Sequence, residues 1–270
     1  MSDIKNSLKK ILPEPVIASA RATMDAAARL KDWPQAVFHP WRRDTIANLA
    51  RYKDIHRGER CFIIGNGPSL KNTDLSKLKG EYTFGMNRIY MLFEELGFET
   101  SYYVSINDLV IEQCAQDIQR LKLPRFISWR GRQWLQPDND LFFLYTTYTG
   151  PKFSGDIRGR IWEGATVTNV ALQIAYFMGF ETVVLIGVDH SFATQGKPNT
   201  TVVSEGDDPN HFHPGYFGKG FRWQLPDLDT SERGYWMARQ AYEKAGRKVL
   251  DATVGGKLQI FDKVEYSSLF

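Results

Sequence analysis

Residues 61–70 read Cys-Phe-Ile-Ile-Gly-Asn-Gly-Pro-Ser-Leu, and this stretch decides the fold. Its four apolar residues predict a short buried strand, and Gly65 and Gly67 then allow a sharp turn and the close approach of another group. Main-chain N–H groups after such a turn can hold phosphate oxygens, and Asn66 and Ser69 add polar groups that a simple turn does not need. The interpretation as a plain strand-to-helix turn stays open.

The same stretch argues against two large classes of nucleotide-binding enzyme. Leu70 stands where the dinucleotide-binding fingerprint has its third glycine, and the chain contains no G-x-x-x-x-G-K-[ST] motif. A dinucleotide-dependent oxidoreductase and a P-loop NTPase therefore both lose support.

Short β-type runs alternate with amphipathic helical segments from residue 60 onward. The predicted strands are 61–64, 82–85, 102–106, 125–128, 141–145, 182–186 and 248–251, and the clearest helix is 168–177. This alternation is typical of an α/β, Rossmann-like, mainly parallel sheet flanked by helices. We assign residues 59–270 to one such nucleotide-binding catalytic domain, and within it residues 190–228, which lack any period, to a lid.

Residues 1–58 are predicted to form an N-terminal helical arm, with helices near 16–30 and 44–52. Residues 1–60 contain 12 Lys and Arg against 7 Asp and Glu, so the arm holds the basic excess of a chain whose net charge is +3. We interpret the arm as a helical cap packed on the main domain, because its apolar positions are mostly small alanines. Peripheral contact with an acidic membrane face or a partner through the arm stays open, as does a homo-oligomer.

The composition is that of an ordinary globular protein, with 43% hydrophobic and 24% charged residues among 270. The apolar stretches are far shorter than the roughly 20 residues that cross a bilayer. Cys61 and Cys114 share no metal-binding spacing, so we expect buried reduced thiols and a cytoplasmic protein, at most peripheral at the inner membrane face.

Polar residues follow three further predicted strands at the point where each strand ends. Asn87 follows the second strand, Asn107 and Asp108 follow the third, and Asp189 and His190 follow the sixth. Ligands of open α/β sheets bind at this edge. Amides there can read a base edge and a carboxylate can accept from ribose hydroxyls, although helix capping alone would explain each Asn or Asp.

The predicted lid contains His211 and His213, close to Lys219 and Arg222. An imidazole that titrates near neutrality is the commonest general base for a hydroxyl nucleophile, and the two cations could neutralise a phosphate or a carboxylate. Packing of the histidines among loop aromatics is the alternative.

Two patterns raise the question of a metal, and neither predicts one. The His-x-His of the lid lacks a third ligand at metal-binding spacing. Asp138-Asn139-Asp140 matches the D-x-D of metal-dependent sugar transferases, but it follows Pro137 and precedes an apolar run, so we interpret it as a polar turn.

Three stretches carry a resemblance to known families. They are 61–70, the Thr-Phe-Gly-Met-Asn-Arg of 83–88, and 166–189, which ends in Leu-Ile-Gly-Val-Asp. They resemble the bacterial sialyltransferases that use CMP-activated sugars and their wider relatives. Those relatives are the Maf-type glycosyltransferases and the archaeal 6-hydroxymethylpterin pyrophosphokinase-like domains. The resemblance covers roughly residues 59–256.

The resemblance implies a set of site residues. The nucleotide would contact Gly65, Asn66, Gly67, Ser69, Asn87, Asn107, Thr166, Thr168 and Asp189. A lid histidine would be the base, with His213 preferred over His211, and Arg222 is the third catalytic candidate. The chain departs from the family pattern at two places. The tripeptide Thr166-Val167-Thr168 stands where the family has Thr-Ser-Gly, and His190 stands where it has an aromatic residue.

The first hypothesis is a glycosyltransferase that moves a sialic-acid-like sugar from a CMP-linked donor to a hydroxyl of a surface glycan. It requires no obligatory cofactor, takes the nucleotide sugar as substrate, allows Mg²⁺ and involves no nucleic acid. The second is a 6-hydroxymethylpterin pyrophosphokinase that uses ATP and Mg²⁺ held by Asp189 with Asp207 or Asp208. A nucleotide-sensing module without catalysis is the third.

Overall fold

The computed structural model describes residues 14–194 and 196–270. Its strands are β1 (Arg60–Ile64), β2 (Tyr82–Met86), β3 (Tyr102–Ser105), β4 (Arg125–Ser128), β5 (Leu141–Thr147), β6 (Arg160–Trp162), β7 (Thr182–Ile186), β8 (Thr201–Val203), β9 (Arg222–Gln224), β10 (Lys248–Asp251) and β11 (Asp262–Lys263). Nine of them form one sheet in the order β11-β10-β7-β1-β2-β3-β4-β5-β6. Every pairing in this sheet is parallel, whereas β8 and β9 form a separate antiparallel hairpin.

The helices flank this sheet. They are α1 (Glu14–Phe38), α2 (Pro40–Leu49), α3 (Phe93–Leu96), α4 (Asp108–Gln113), α5 (Ala115–Arg120), α6 (Val167–Met178) and α7 (Leu228–Lys244). Short 3-10 helices cover Ala50–Tyr52, Pro68–Asn72, Leu75–Leu78, Ile89–Leu92, Trp129–Gln133 and Tyr266–Leu269. None of the helices described is long and apolar enough to cross a membrane.

The sheet separates two apolar layers, because successive side chains of a strand point to opposite faces. In β1, Cys61 and Ile63 pack with α6 and α7, whereas Phe62 and Ile64 pack with α4 and with aromatic residues of the 190–228 segment. Both faces of the central strands are therefore shielded from water, which explains the apolar runs 61–64 in β1 and 183–186 in β7. Both cysteines are free and buried.

The α/β prediction is confirmed, and the strands of the sheet centre lie within two residues of their predicted bounds. The four strands that the sequence did not reveal, β6, β8, β9 and β11, contain only two or three residues each. Such strands are too short to show an alternating pattern. The segment 190–228 is therefore not free of regular structure, because it contains the β8–β9 hairpin.

Helices α1 and α2 lie against the edge of the sheet that β5 and β6 form. The Arg42 side chain of α2 is buried and donates hydrogen bonds to the carbonyls of Phe143 (2.9 Å) and Arg158 (2.7 Å). Thr45 Oγ1 accepts from the Phe143 N–H at 3.3 Å. This helix is thus bound directly to the backbone of the sheet edge.

The D-x-D sequence is part of a turn that fixes the start of β4. The buried Arg125 donates to both carboxylate oxygens of Asp138, at 2.6 and 2.7 Å. Asp138 also accepts from the Asp140 N–H at 2.9 Å. The Asp140 carboxylate is 4.0 Å from Arg51 and half-exposed.

We expect Asp138→Ala to lower the free energy of unfolding by about 2–3 kcal/mol, because the buried Arg125 guanidinium then keeps only backbone carbonyls as partners and has no carboxylate. Asp140→Ala is the matched control and should change stability by less than about 0.5 kcal/mol, as for other exposed pairs. Urea unfolding of both variants measures the difference. Equal losses would mean that the turn, and not the buried pair, supplies the stability.

Candidate functional site

A cavity of about 540 Å³ opens at the carboxyl ends of β1, β2, β3 and β7. The chain runs from β1 outward to β2 in one direction, whereas β7 lies on the other side of β1. This is the switch point at which open α/β sheets bind ligands. We call it the strand-end cavity; residues of the turns after these strands, of the α6 start and of the segment 190–228 line it.

The floor of the strand-end cavity is the glycine bend, residues 65–67, which lies directly against the turn after β7. The Gly65 N–H donates to the Ile186 carbonyl at 2.7 Å, and the Gly67 N–H donates to the Gly187 carbonyl at 2.9 Å. A Cβ atom on Gly65 would be 2.1 Å from the Gly187 carbonyl oxygen. Only glycine permits this approach.

Asp189 and Ser69 hold the bend in place. Asp189 accepts from the Ser69 N–H at 3.1 Å and from its hydroxyl at 2.7 Å. A Cβ on Gly67 would overlap the Asp189 carboxylate. Asp189 therefore lines the cavity, whereas Ser69, which the sequence also placed against the nucleotide, is buried behind the wall and supports Asp189.

Four residues that line the cavity have a left-handed backbone although they are not glycine. They are Asn87 (φ 51°), Ala165 (φ 55°), His190 (φ 54°) and Asn199 (φ 64°). Such conformations cost about 1–3 kcal/mol each and concentrate at ligand-binding sites. The cavity wall is strained where the strands end.

Helix α6 begins at the wall of the cavity. The Thr166 hydroxyl caps this helix by accepting from the Thr168 N–H at 3.3 Å, and Thr166, Val167 and Thr168 all line the cavity. The Thr166 hydroxyl is also 3.5 Å from the Tyr235 hydroxyl of α7. The positive end of the helix dipole is therefore close to any bound ligand.

The three predicted asparagines all line the cavity, and each has a different surrounding. Asn66 Oδ1 is buried and has no hydrogen-bond partner within the described residues. Asn87 accepts from the Ser105 hydroxyl at 3.1 Å. Asn107 caps α4 by accepting from two backbone N–H groups, at 3.0 and 3.3 Å, so its capping interpretation is correct whether or not it also binds a ligand.

The two lid histidines differ in position. His211 lines the cavity, its Nδ1 donates to Asp208 at 2.7 Å, and its ring stacks on Tyr216 with centroids 4.0 Å apart. His213, the residue preferred from the sequence, is exposed and lies outside the lining; its Nδ1 accepts from the Gly215 N–H. Arg222 is also outside the lining and pairs with Glu112 at 2.8 Å.

The lid is attached to the bend and to β2. The Phe212 N–H donates to the Asn66 carbonyl at 2.9 Å, and Arg88 donates to the carbonyls of Gly215 (3.2 Å) and Tyr216. Tyr216 is fully buried. The backbone around His211 is therefore fixed with respect to the glycine bend.

A partly buried ion cluster at the wall of the cavity was missed in the sequence. Arg130 donates to Glu163 at 2.8 Å, to both oxygens of Asp108 at 2.9 Å and to the Tyr148 hydroxyl at 2.9 Å. Burial raises the pKa of the Glu163 carboxyl, and the charge of Arg130 opposes this effect. Arg130 comes two residues after β4, so the strand-end rule applied to Asn107 would have found it.

A second histidine–carboxylate pair was also missed. His190 Nε2 lies 3.0 Å from Glu232 of α7, and His190 lines the cavity. The charged residues among the lining are Glu163, Asp189 and Asp227, together with the titratable His190 and His211. The wall of the cavity is therefore acidic apart from its backbone amides.

The family model described as 6-hydroxymethylpterin diphosphokinase MptE-like matches residues 41–195, more than half of the chain. The chain belongs to this MptE-like family. The match includes the glycine bend, Asn87, Asn107, the α6 start and Asp189, but ends before the lid histidines.

The fold of this MptE-like protein is similar to the solved structure of the MAf glycosyltransferase from Magnetospirillum magneticum AMB-1. The TM-score is 0.50 with 15% sequence identity, and the similarity covers 85% of this chain and 39% of that chain. The expected relationship to the 6-hydroxymethylpterin pyrophosphokinase-like domains is confirmed by the family match, and the likeness to the MAf enzyme, at this identity, concerns the fold alone. No curated protein matches the chain.

We expect Gly65→Ala to lower the free energy of unfolding by about 2–3 kcal/mol, because its methyl group has no space beside the Gly187 carbonyl. The control is Gly206→Ala, since a Cβ on Gly206 would meet nothing within 4 Å. Thermal or urea unfolding measures both. A Gly65→Ala variant as stable as the control would show that the bend and the β7 turn separate easily.

Proposed function

We propose that the protein is a glycosyltransferase that moves a sugar, sialic-acid-like and CMP-linked, to a hydroxyl of a glycan acceptor. The observation that carries this proposal is that His211, which is bonded to the buried Asp208, lines the strand-end cavity together with the predicted asparagines and the start of α6. A general base and a helix start on one cavity wall are groups that transfer of a sugar from a phosphate-linked donor to a hydroxyl needs.

The donor would bind along the glycine bend and the α6 start. Main-chain N–H groups at the start of α6, with the hydroxyls of Thr166 and Thr168, would hold the phosphate. The amide of Asn66 has an oxygen without a partner, which could accept from the exocyclic amine of cytosine. Asn87 and Asn107 would contact the rest of the nucleoside.

The charges of the cavity favour a donor with one phosphate. Asp189 and Asp227 would repel a polyphosphate more strongly than a single phosphodiester in a cavity of about 540 Å³, whereas the charge of Glu163 is offset by Arg130. Backbone and side-chain dipoles are sufficient partners for a single phosphodiester, whereas three phosphates need metal ions or several cations.

In the proposed reaction, His211 accepts the proton of the acceptor hydroxyl as its oxygen attacks the anomeric carbon. The bond between that carbon and the phosphate oxygen breaks, and CMP leaves with the electron pair. The bond from Nδ1 to Asp208 leaves Nε2 of the neutral ring as the proton acceptor and stabilises the imidazolium that forms. The amides of the cradle stabilise the charge that develops on CMP.

The name of the family supports a second candidate, a diphosphokinase acting on a pterin. It would need Mg²⁺ on Asp189 with Asp207 or Asp208. Asp189 is already bonded to Ser69, and Asp208 is bonded to His211 and to the Asn210 N–H at 2.9 Å. Because these carboxylates hold the bend and the lid, they fit a metal site poorly, and we derive no step through one.

We expect CMP and CTP each to raise the melting temperature of the protein, and Mg²⁺ to leave both shifts unchanged. The shift with CMP should be the larger, because CMP has fewer phosphates. Thermal shift measurements with CMP, CTP and ATP test this. Stabilisation by ATP only in the presence of Mg²⁺ would instead favour the diphosphokinase. No shift with any nucleotide would favour a module without this activity.

We expect His211→Gln to lower the release of CMP from CMP-N-acetylneuraminate by about 10²–10⁴-fold, because the base is lost, while CMP affinity stays within a few-fold. His213→Gln is the matched control, since His213 lies outside the cavity. Release assays and CMP titrations of both variants give the comparison. If His213→Gln alone removes activity, the sequence-based preference for His213 is right and our assignment is wrong.

A further inference from the structure

A second cavity, of about 610 Å³, lies between the N-terminal helices and the edge of the sheet. Its walls are largely apolar. They come from Leu30, Trp33 and Val37 of α1, Ile46 of α2 and Tyr145 of β5. We call this the arginine groove, because Arg29, Arg42, Arg158 and Arg160 also line it.

Two of these arginines meet at one point of the groove. Arg29 Nη1 donates to the Thr149 hydroxyl at 2.9 Å, and Arg160 Nη1 donates to the Gly150 carbonyl at 2.8 Å. A Cβ on Gly150 would be 2.8 Å from Arg29 Nη1 and 3.1 Å from Arg160 Nη1. Two like charges are therefore held side by side by neutral oxygens alone.

Arg158 pairs with Asp156 at 2.6 Å. Among the side chains that the structure describes, no carboxylate lies within 4.0 Å of a guanidinium nitrogen of the other three arginines. Arg42 is buried and bonds only to carbonyl oxygens, and this burial lowers its pKa to about 10. Burial, and then the charge of Arg29, also lower the pKa of Arg160. An anion in the groove would offset the cost of these unpaired charges.

Exposed apolar side chains of α1 lie beside the groove. Leu30 and Trp33 line it while remaining 67% and 46% exposed, and Phe38 is 63% exposed. The rings of Trp33 and Phe38 touch edge to face, with centroids 5.6 Å apart. A soluble surface rarely places large apolar residues together unless they bind something.

We propose that the arginine groove binds the phosphate headgroup of an anionic phospholipid, so that α1 lies on the surface of an acidic bilayer. Arg29 and Arg160 would contact the phosphate, and the apolar walls would take the upper part of an acyl chain. Leu30, Trp33 and Phe38 would enter the interface between headgroups and chains. This site is separate from the strand-end cavity and does not depend on the proposed transfer reaction.

The test is sedimentation of the full chain with vesicles of phosphatidylcholine alone, or of phosphatidylcholine with phosphatidylglycerol. We expect binding only to the anionic vesicles, weakening as salt is raised. The double variant Arg29→Gln with Arg160→Gln should lose at least about tenfold in affinity. Trp33→Ala should also weaken binding, and its melting temperature shows whether the fold is intact.

The matched control is Arg57→Gln with Arg233→Gln, which removes two exposed charges elsewhere and should bind like the unaltered chain. Equal binding by the groove variant and the unaltered chain would overturn the proposal. A rise in melting temperature with inorganic phosphate as large as the rise with anionic vesicles would also overturn it, because it would indicate a site for a free anion. Light scattering gives the oligomeric state. If the unaltered chain is a dimer and the Arg29→Gln, Arg160→Gln variant is a monomer, a second copy of the chain covers this face and the lipid proposal is wrong.

Discussion

The contact between the glycine bend and the turn after β7 is the constraint on which the site depends. Two backbone segments touch there without a side chain between them, through bonds of 2.7 and 2.9 Å from Gly65 and Gly67. Because they are so close, Asp189 can reach Ser69, and Asn66 can present its carbonyl to the lid. One close approach therefore shapes the cavity floor, orients a carboxylate and anchors the segment that contains His211.

The chemistry that we propose uses polar groups that the fold has already positioned. His211 lies between the buried Tyr216 ring and the Asp208 carboxylate, so neither the ring plane nor the tautomer is free to vary. The left-handed backbone at Asn87, Ala165 and His190 shows that the strand ends are held in conformations that packing must stabilise. Ligand binding at such a site would cost little free energy for ordering its side chains and backbone.

The fold and most of the cavity wall could be predicted from the sequence because they depend on local patterns. Apolar runs located the central strands, and the rule that ligands bind at strand ends placed Asn87, Asn107 and Asp189 on one cavity. The sequence could not decide between His211 and His213. Both lie in one irregular segment, and only the path of the backbone determines which side chain faces the cavity. The strand-end rule would have found Arg130 itself, but its contact with Glu163 spans 33 positions, and no local pattern reports such a contact.

The two ends of the nine-stranded sheet are protected in different ways. β11 contains two residues, Asp262 and Lys263, so this end offers a short, charged border. The opposite border, β6, is three residues long, and its first residue, Arg160, faces α1 across the arginine groove. A chain shortened through α1 would lose this neighbour, and an unpaired strand at a sheet border favours intermolecular strand pairing and aggregation.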